Sequence, residues 1–153
     1  MVDTGLGGRA YLAATEDFLT WGSVENRMAT ILIVDDSKLA RIVAGKAISA
    51  LQPEWQRLEA GSAAEALELF KKQQIDVALL DFNMPGKNGL ELAGELRQAR
   101  PSMPIALITA NIQTEVIESA KAVNAEFVAK PVTAEGLEKF LVNAAQALDS
   151  DQA

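Results

Sequence analysis

Four apolar runs each end on residues able to do chemistry: Ile31–Val34 on Asp35 and Asp36, Val77–Leu80 on Asp81, Ile105–Ile108 on Thr109, and Phe127–Ala129 on Lys130. Singly, each residue has a plainer job: Asp36 as a helix cap, Asp81 in a turn, Thr109 as a strand hydroxyl, Lys130-Pro131 as an ordinary turn. Recurrence at the same point of every run is what marks them as one set. Clustered carboxylates repel one another, and a hard divalent cation relieves that repulsion. Magnesium accepts one or two carboxylates plus a phosphate oxygen and keeps several waters. There are too few ligands here for a closed calcium cage. The sequence contains no histidine and no cysteine, which excludes Ser-His and Cys-His catalysis, disulfides and cysteine-based metal centres. The covalent nucleophile left is a carboxylate, as in aspartyl-phosphate formation. Lys130 can place a point charge on a phosphoryl oxygen and Thr109 a hydrogen-bond donor. Phosphoryl transfer asks for little beyond such positioning and charge neutralisation.

The elements between these residues must bring them to one place. Continuous apolar runs at Ile31–Val34, Val77–Leu80 and Ile105–Ile108 predict strands buried on both faces of a parallel sheet. Trp55 to Glu59 alternates and predicts a strand near an edge, and Glu126 to Ala129 a fifth strand. Helices alternate with them. The first is capped by Asp36 or Ser37, carries Leu39, Ile42, Val43, Ala47, Ile48 and Leu51, and stops before Pro53. The second starts from Ser62, with Ala66, Leu67, Leu69 and Phe70. The third runs from about Leu90 to Arg100 and ends at Pro101. The fourth covers roughly Thr114 to Val123, and the last opens at Thr133 and continues to Leu148. Strict alternation predicts an α/β fold, a parallel sheet with right-handed crossovers and helices on both faces. All strands then end at one edge, where ligands of such sheets bind. Pro85-Gly86 fits a tight turn, and Gly89 is expected to let the backbone turn into the third helix.

The size, 153 residues, suits one domain. Fourteen basic against twenty-one acidic residues leave a net charge of -7, which argues against direct binding to nucleic acid. No run approaches the ~18 apolar residues of a membrane span and no signal peptide is evident, so a soluble cytoplasmic protein is expected. Residues 1–27 differ in character, with Tyr11, Leu12, Phe18, Leu19 and Trp21 weakly suggesting a short amphipathic helix. They read as a leader or extension ahead of a domain spanning 28–148, with a tail at 149–153.

With these residues in view, the sequence resembles the receiver domains of two-component response regulators. The resemblance rests on Ile31-Leu-Ile-Val-Asp-Asp-Ser37, Val77-Ala-Leu-Leu-Asp-Phe-Asn-Met-Pro-Gly86, Ile105-Ala-Leu-Ile-Thr-Ala110 and Phe127-Val-Ala-Lys-Pro131. It implies a doubly wound, flavodoxin-like five-stranded sheet of order 2-1-3-4-5, an order for which a chemotaxis regulator of this family is a standing example. It implies Asp81 as the phosphoacceptor. Asp36, Asp81 and the backbone carbonyl of Asn83 would bind magnesium directly, and Asp35 through a water. Lys130, Thr109 and the N–H of Ala110 would hold the phosphoryl group, Thr109 and Phe127 would form the switch, and the peptide before Pro131 would be cis. Thr109 and Phe127 are expected to end neighbouring strands.

The function expected is a phosphorylation-activated switch rather than an enzyme, its own chemistry limited to magnesium-dependent self-phosphorylation from phosphodonors and autodephosphorylation. The partners expected are a histidine kinase or phosphotransfer protein, and a target protein at the face made by the fourth helix, fifth strand and fifth helix. Only a short tail follows Leu148, so a stand-alone receiver is expected. The rival is a phosphatase or phosphotransferase using an aspartyl phosphate; such enzymes commonly carry Asp-x-Asp after the first strand, whereas Asp35 and Asp36 are adjacent. A flavin-binding module of similar topology would need a Ser/Thr-rich phosphate loop there, which the sequence lacks.

Overall fold

A computed structural model of the chain describes residues 28–110 and 113–152. The expectation for a leader at 1–27 lies outside them. The described elements alternate without exception: β1 (Thr30–Val34), α1 (Lys38–Leu51), β2 (Gln56–Ala60), α2 (Ala63–Lys72), β3 (Val77–Asp81), α3 (Gly89–Ala99), β4 (Ile105–Thr109), α4 (Thr114–Ala122), β5 (Glu126–Ala129) and α5 (Ala134–Gln152). The five strands form one parallel sheet in the order β2-β1-β3-β4-β5. The last helix runs past Leu148 to Gln152, since no glycine or proline intervenes to stop it.

Alternation of side chains along the inner strands divides the core in two. Ile31, Ile33, Leu79 and Ile108 pack with Ala44 and Ile48 of α1 and Leu137, Phe140 and Leu141 of α5. Leu32, Val34, Leu80 and Leu107 face the other way, onto Ala66 of α2, Leu92 and Leu96 of α3, and Ala120 of α4. Every residue of β3 and β4 is buried, so each fully buried leucine or isoleucine contributes about 1.5–3 kcal/mol by leaving water. The edge strands β2 and β5 are partly exposed, which is why β2 alternates in sequence.

Caps fix where the helices begin. Ser37 accepts from the N–H of Ala40 at 3.2 Å, so Ser37 and not Asp36 takes the cap of α1, leaving the Asp36 carboxylate free of that duty. Ser62 caps α2, and Asn88 with Glu91 forms a reciprocal capping box on α3, both bonds 2.9 Å. At the opposite edge Arg97 of α3 donates to the carbonyls of Arg100, Pro101 and Met103 and, across to the end of α4, of Val123 and Asn124. That guanidinium ties α3 and α4 together away from the site.

Candidate functional site at the carboxyl edge of the sheet

Parallel register carries β1, β3 and β4 to the same level, with Val34 beside Leu80 and Asp81 beside Ile108. The residues that follow therefore meet. One oxygen each from Asp35, Asp36 and Asp81 lies within 4.8 Å of the others. Asp35 and Asp81 are 2% exposed, whereas Asp36 faces solvent.

Lys130 reaches into this cluster from the end of β5, its Nζ 3.2 Å from Asp35 Oδ2 and 3.2 Å from Asp81 Oδ1. Its backbone is held there by an N–H bond to the Thr109 carbonyl, 2.9 Å, and its peptide to Pro131 is cis. Asp35 is fixed at both carboxylate oxygens, since Oδ1 accepts the Ser37 N–H at 2.9 Å while Oδ2 meets Lys130. The N–H of Asn83 donates to Asp81 Oδ1 at 3.3 Å. Thr109 is 1% exposed at the end of β4, and Ala110 follows at the surface.

Burial raises the carboxyl of Asp81 above its ordinary range, and repulsion from Asp35 pushes the same way. Lys130, by charge and hydrogen bond, and the Asn83 N–H pull it back. Burial alone would lower the ammonium of Lys130, but the charges of Asp35 and Asp81 and their hydrogen bonds outweigh it and hold Lys130 above its usual value. One ammonium faces three carboxylates, so the ionised pocket is two negative charges in excess. Hard oxygen donors at this spacing, with that charge, suit one small divalent cation and its waters.

Phe127 departs from expectation. It does not end β5 beside Thr109: it pairs with Leu107, and Ala129 is the residue level with Thr109. Thr109 and Phe127 are diagonal neighbours on one face of the sheet. The half-buried ring borders a depression of about 530 Å³ with Ile117, Lys121, Lys139 and Phe140.

Gly86 has φ +75°, the left-handed conformation that suits glycine after Pro85. Gly89 has another role than the one expected. A Cβ there would stand 2.1 Å from the backbone oxygen of Asp81. Glycine is needed because α3 begins directly against the chain leaving β3. Reading strand ends also missed Arg41, which enters from α1 and donates from Nη1 to the carbonyl of Asp35 at 2.7 Å. Its one signal was a guanidinium among Leu39, Ile42 and Val43.

Beside the acids, Leu39, Val43, Pro131 and Val132 line an apolar groove of about 370 Å³ that reaches Asp35 and Lys130. Leu39 is 70% exposed at its rim. Among the described residues no helix is long and apolar enough to cross a membrane.

The chain and its fold have known relatives. A profile of the response regulator receiver domain matches residues 31–142. The chain is 32% identical over 122 residues to the chemotaxis protein CheY-3 of Vibrio cholerae, covering 78% of this chain and 93% of that one. It is 32% identical over 130 residues to the cyclic di-GMP phosphodiesterase response regulator RpfG of Xanthomonas campestris, covering 83% of this chain and 34% of that protein. The chain thus spans about a third of the length of that relative. Among solved structures, chemotaxis protein CheY4 of Vibrio cholerae superposes with a TM-score of 0.70 at 30% identity, covering 77% of this chain and 99% of that one.

Proposed function

The chain belongs to the family of response regulator receiver domains, and from that premise we propose that Asp81 accepts a phosphoryl group and that its modification switches a protein-binding face. The observation that carries the reading is the convergence of Lys130, Asp35 and Asp36 on the Asp81 carboxylate.

The step is a displacement at phosphorus. An Asp81 oxygen attacks the phosphorus of a phosphohistidine on a partner, the phosphorus–nitrogen bond breaks, and the departing imidazole takes a proton from water. The product is an acyl phosphate on Asp81. Partial desolvation, which raises the Asp81 carboxyl, keeps its oxygens poorly hydrated and so nucleophilic when ionised. Lys130, beside the Asp81 carboxylate, pairs with the transferred group, and Thr109 with the Ala110 N–H, on the adjacent strand end, holds another phosphoryl oxygen. Asp36, Asp81 and the Asn83 carbonyl would hold magnesium directly and Asp35 through a water, and the ion would supply neutralisation of the charge on the phosphoryl oxygens.

The apolar groove at Leu39, Val43 and Pro131 supports docking of the phosphodonor protein, a histidine kinase or phosphotransfer protein, because it reaches Asp35 and Lys130 of the acidic pocket. The output face is the surface of α4, β5 and α5 around Phe127. Movement of the Thr109 side chain toward a phosphoryl oxygen frees space for the ring, and the two arrangements are alternatives whose populations phosphorylation biases.

The test is incubation of the full chain with acetyl phosphate and magnesium, read by intact mass. One added phosphoryl group on the unaltered chain and none on Asp81→Asn is the expected result. Equal incorporation by both removes Asp81 as the acceptor.

A further inference from the structure

Arg41 sits in the first turn of α1, the wrong end of a helix for a cation, because the exposed N–H groups there already carry partial positive charge. Local helix energetics therefore do not account for it. Its side chain is only 17% exposed and is held from two sides: Nε donates to Glu59 Oε1 of β2 at 2.9 Å, and Nη1 to the main-chain oxygen of Asp35 at 2.7 Å.

The oxygen it takes is the one that matters for the pocket. It belongs to the peptide plane joining Asp35 to Asp36, and that plane is rigid. Fixing its oxygen fixes the direction in which the backbone enters Asp36. The other polar groups of Asp35 are already committed, its N–H to the carbonyl of Ala60 at 3.1 Å, Oδ1 to Ser37 and Oδ2 to Lys130. Asp36, by contrast, is exposed, and its carboxylate has to be aimed through its backbone.

We propose that Arg41, braced by Glu59, is a positioning residue for the divalent-cation pocket, holding the Asp35–Asp36 peptide so that the Asp36 carboxylate faces Asp81. It touches neither phosphoryl group nor metal. Partners of this outer kind are typically worth about 10–100-fold in metal affinity.

The inference rests on the magnesium-dependent reading of the site, and the test separates the two. Magnesium chloride alone is titrated into the full chain, followed by amide chemical shifts, for the unaltered protein, Arg41→Ala, Arg41→Lys, Glu59→Gln and Asp36→Ala. Thermal melting without magnesium is recorded for each. The expected result is a dissociation constant raised about tenfold in Arg41→Ala. Smaller, few-fold increases are expected in Arg41→Lys and Glu59→Gln, and the largest loss in Asp36→Ala. A lowered melting point with wild-type magnesium affinity in Arg41→Ala makes Arg41 a brace of the fold only and overturns the proposal. Should Arg41→Ala not fold, wild-type affinity in both Arg41→Lys and Glu59→Gln overturns it equally. If the unaltered chain takes up no magnesium, the reading of the site falls and the positioning role with it.

Discussion

The ammonium of Lys130 stands 3.2 Å from Oδ1 of Asp81. The same nitrogen is 3.2 Å from Asp35 Oδ2, so one cation is shared between two buried carboxylates. It cannot fully neutralise both. The site is therefore held in a state that favours arrival of more positive charge, or of a phosphoryl group that engages the lysine.

That tension gives the pocket a pH signature. A carboxyl whose folded value lies above its unfolded value binds its proton more tightly in the folded protein. Stability tied to it is full below the ordinary carboxylate range and is lost as pH rises through the raised value. Asp81→Asn removes that loss while leaving Lys130 its bond to Asp35. Without divalent cation at neutral pH the variant is expected to melt at or above the unaltered chain, by a few degrees at a scale of about 2–4 °C per kcal/mol. The gap closes as pH falls through the carboxylate range. Melting curves across pH check this, and a variant less stable at neutral pH would mean that the Lys130 contact outweighs burial and repulsion.

A pair of glycines in α3 tests the packing of that helix against the acceptor. A Cβ at Gly89 would lie 2.1 Å from the Asp81 backbone oxygen, while nothing lies within 4 Å of one at Gly94. Gly89→Ala is expected to cost about 1–3 kcal/mol as forced overpacking and to slow phosphorylation by displacing Asp81. Gly94→Ala is expected to be neutral or to stabilise by up to about 1 kcal/mol. Denaturant titration of both variants, with equal outcomes, would contradict the close approach.

The sheet was legible because β1, β3 and β4 are buried on both faces, and residues so placed have to be apolar without interruption. Asp35, Asp81 and Thr109 were legible for the same reason, each lying at the end of such a run with Asp36 directly after Asp35, and Lys130 because it follows the short apolar stretch of β5. What the pattern could not carry is contact between elements far apart in sequence. Gly89 was read as a turn residue because its neighbour, the Asp81 carbonyl, is invisible without the fold. Arg41 was passed over because it reaches the acids from a helix, not from a strand end. Phe127 was set level with Thr109 because the register of the edge strand β5 against β4 leaves little trace in composition. Asn88 and Glu91 did carry a readable capping signature, three residues apart, ahead of the apolar positions of α3.

The diagonal placement of Thr109 and Phe127 on one face predicts how a charge change at Asp81 spreads. On adding beryllofluoride and magnesium, amide shifts are expected near Asp81, Thr109, Phe127 and along α4. In Thr109→Ala they are expected to stay at the acidic pocket. Shifts confined to the pocket in the unaltered chain would remove Thr109 as the relay.

The most direct measurement is chemical trapping of the modified residue. An acyl phosphate is an activated carbonyl that hydroxylamine converts to a hydroxamate, whereas a phosphoserine or phosphothreonine does not react. The full chain is treated with acetyl phosphate and magnesium, then with hydroxylamine, and digested for peptide sequencing by mass spectrometry. The account predicts a hydroxamate at Asp81, dependent on magnesium and lost in Lys130→Ala or strongly reduced there. A hydroxamate at Asp35 or Asp36 with Asp81 unmodified, or phosphate that survives hydroxylamine, would contradict it.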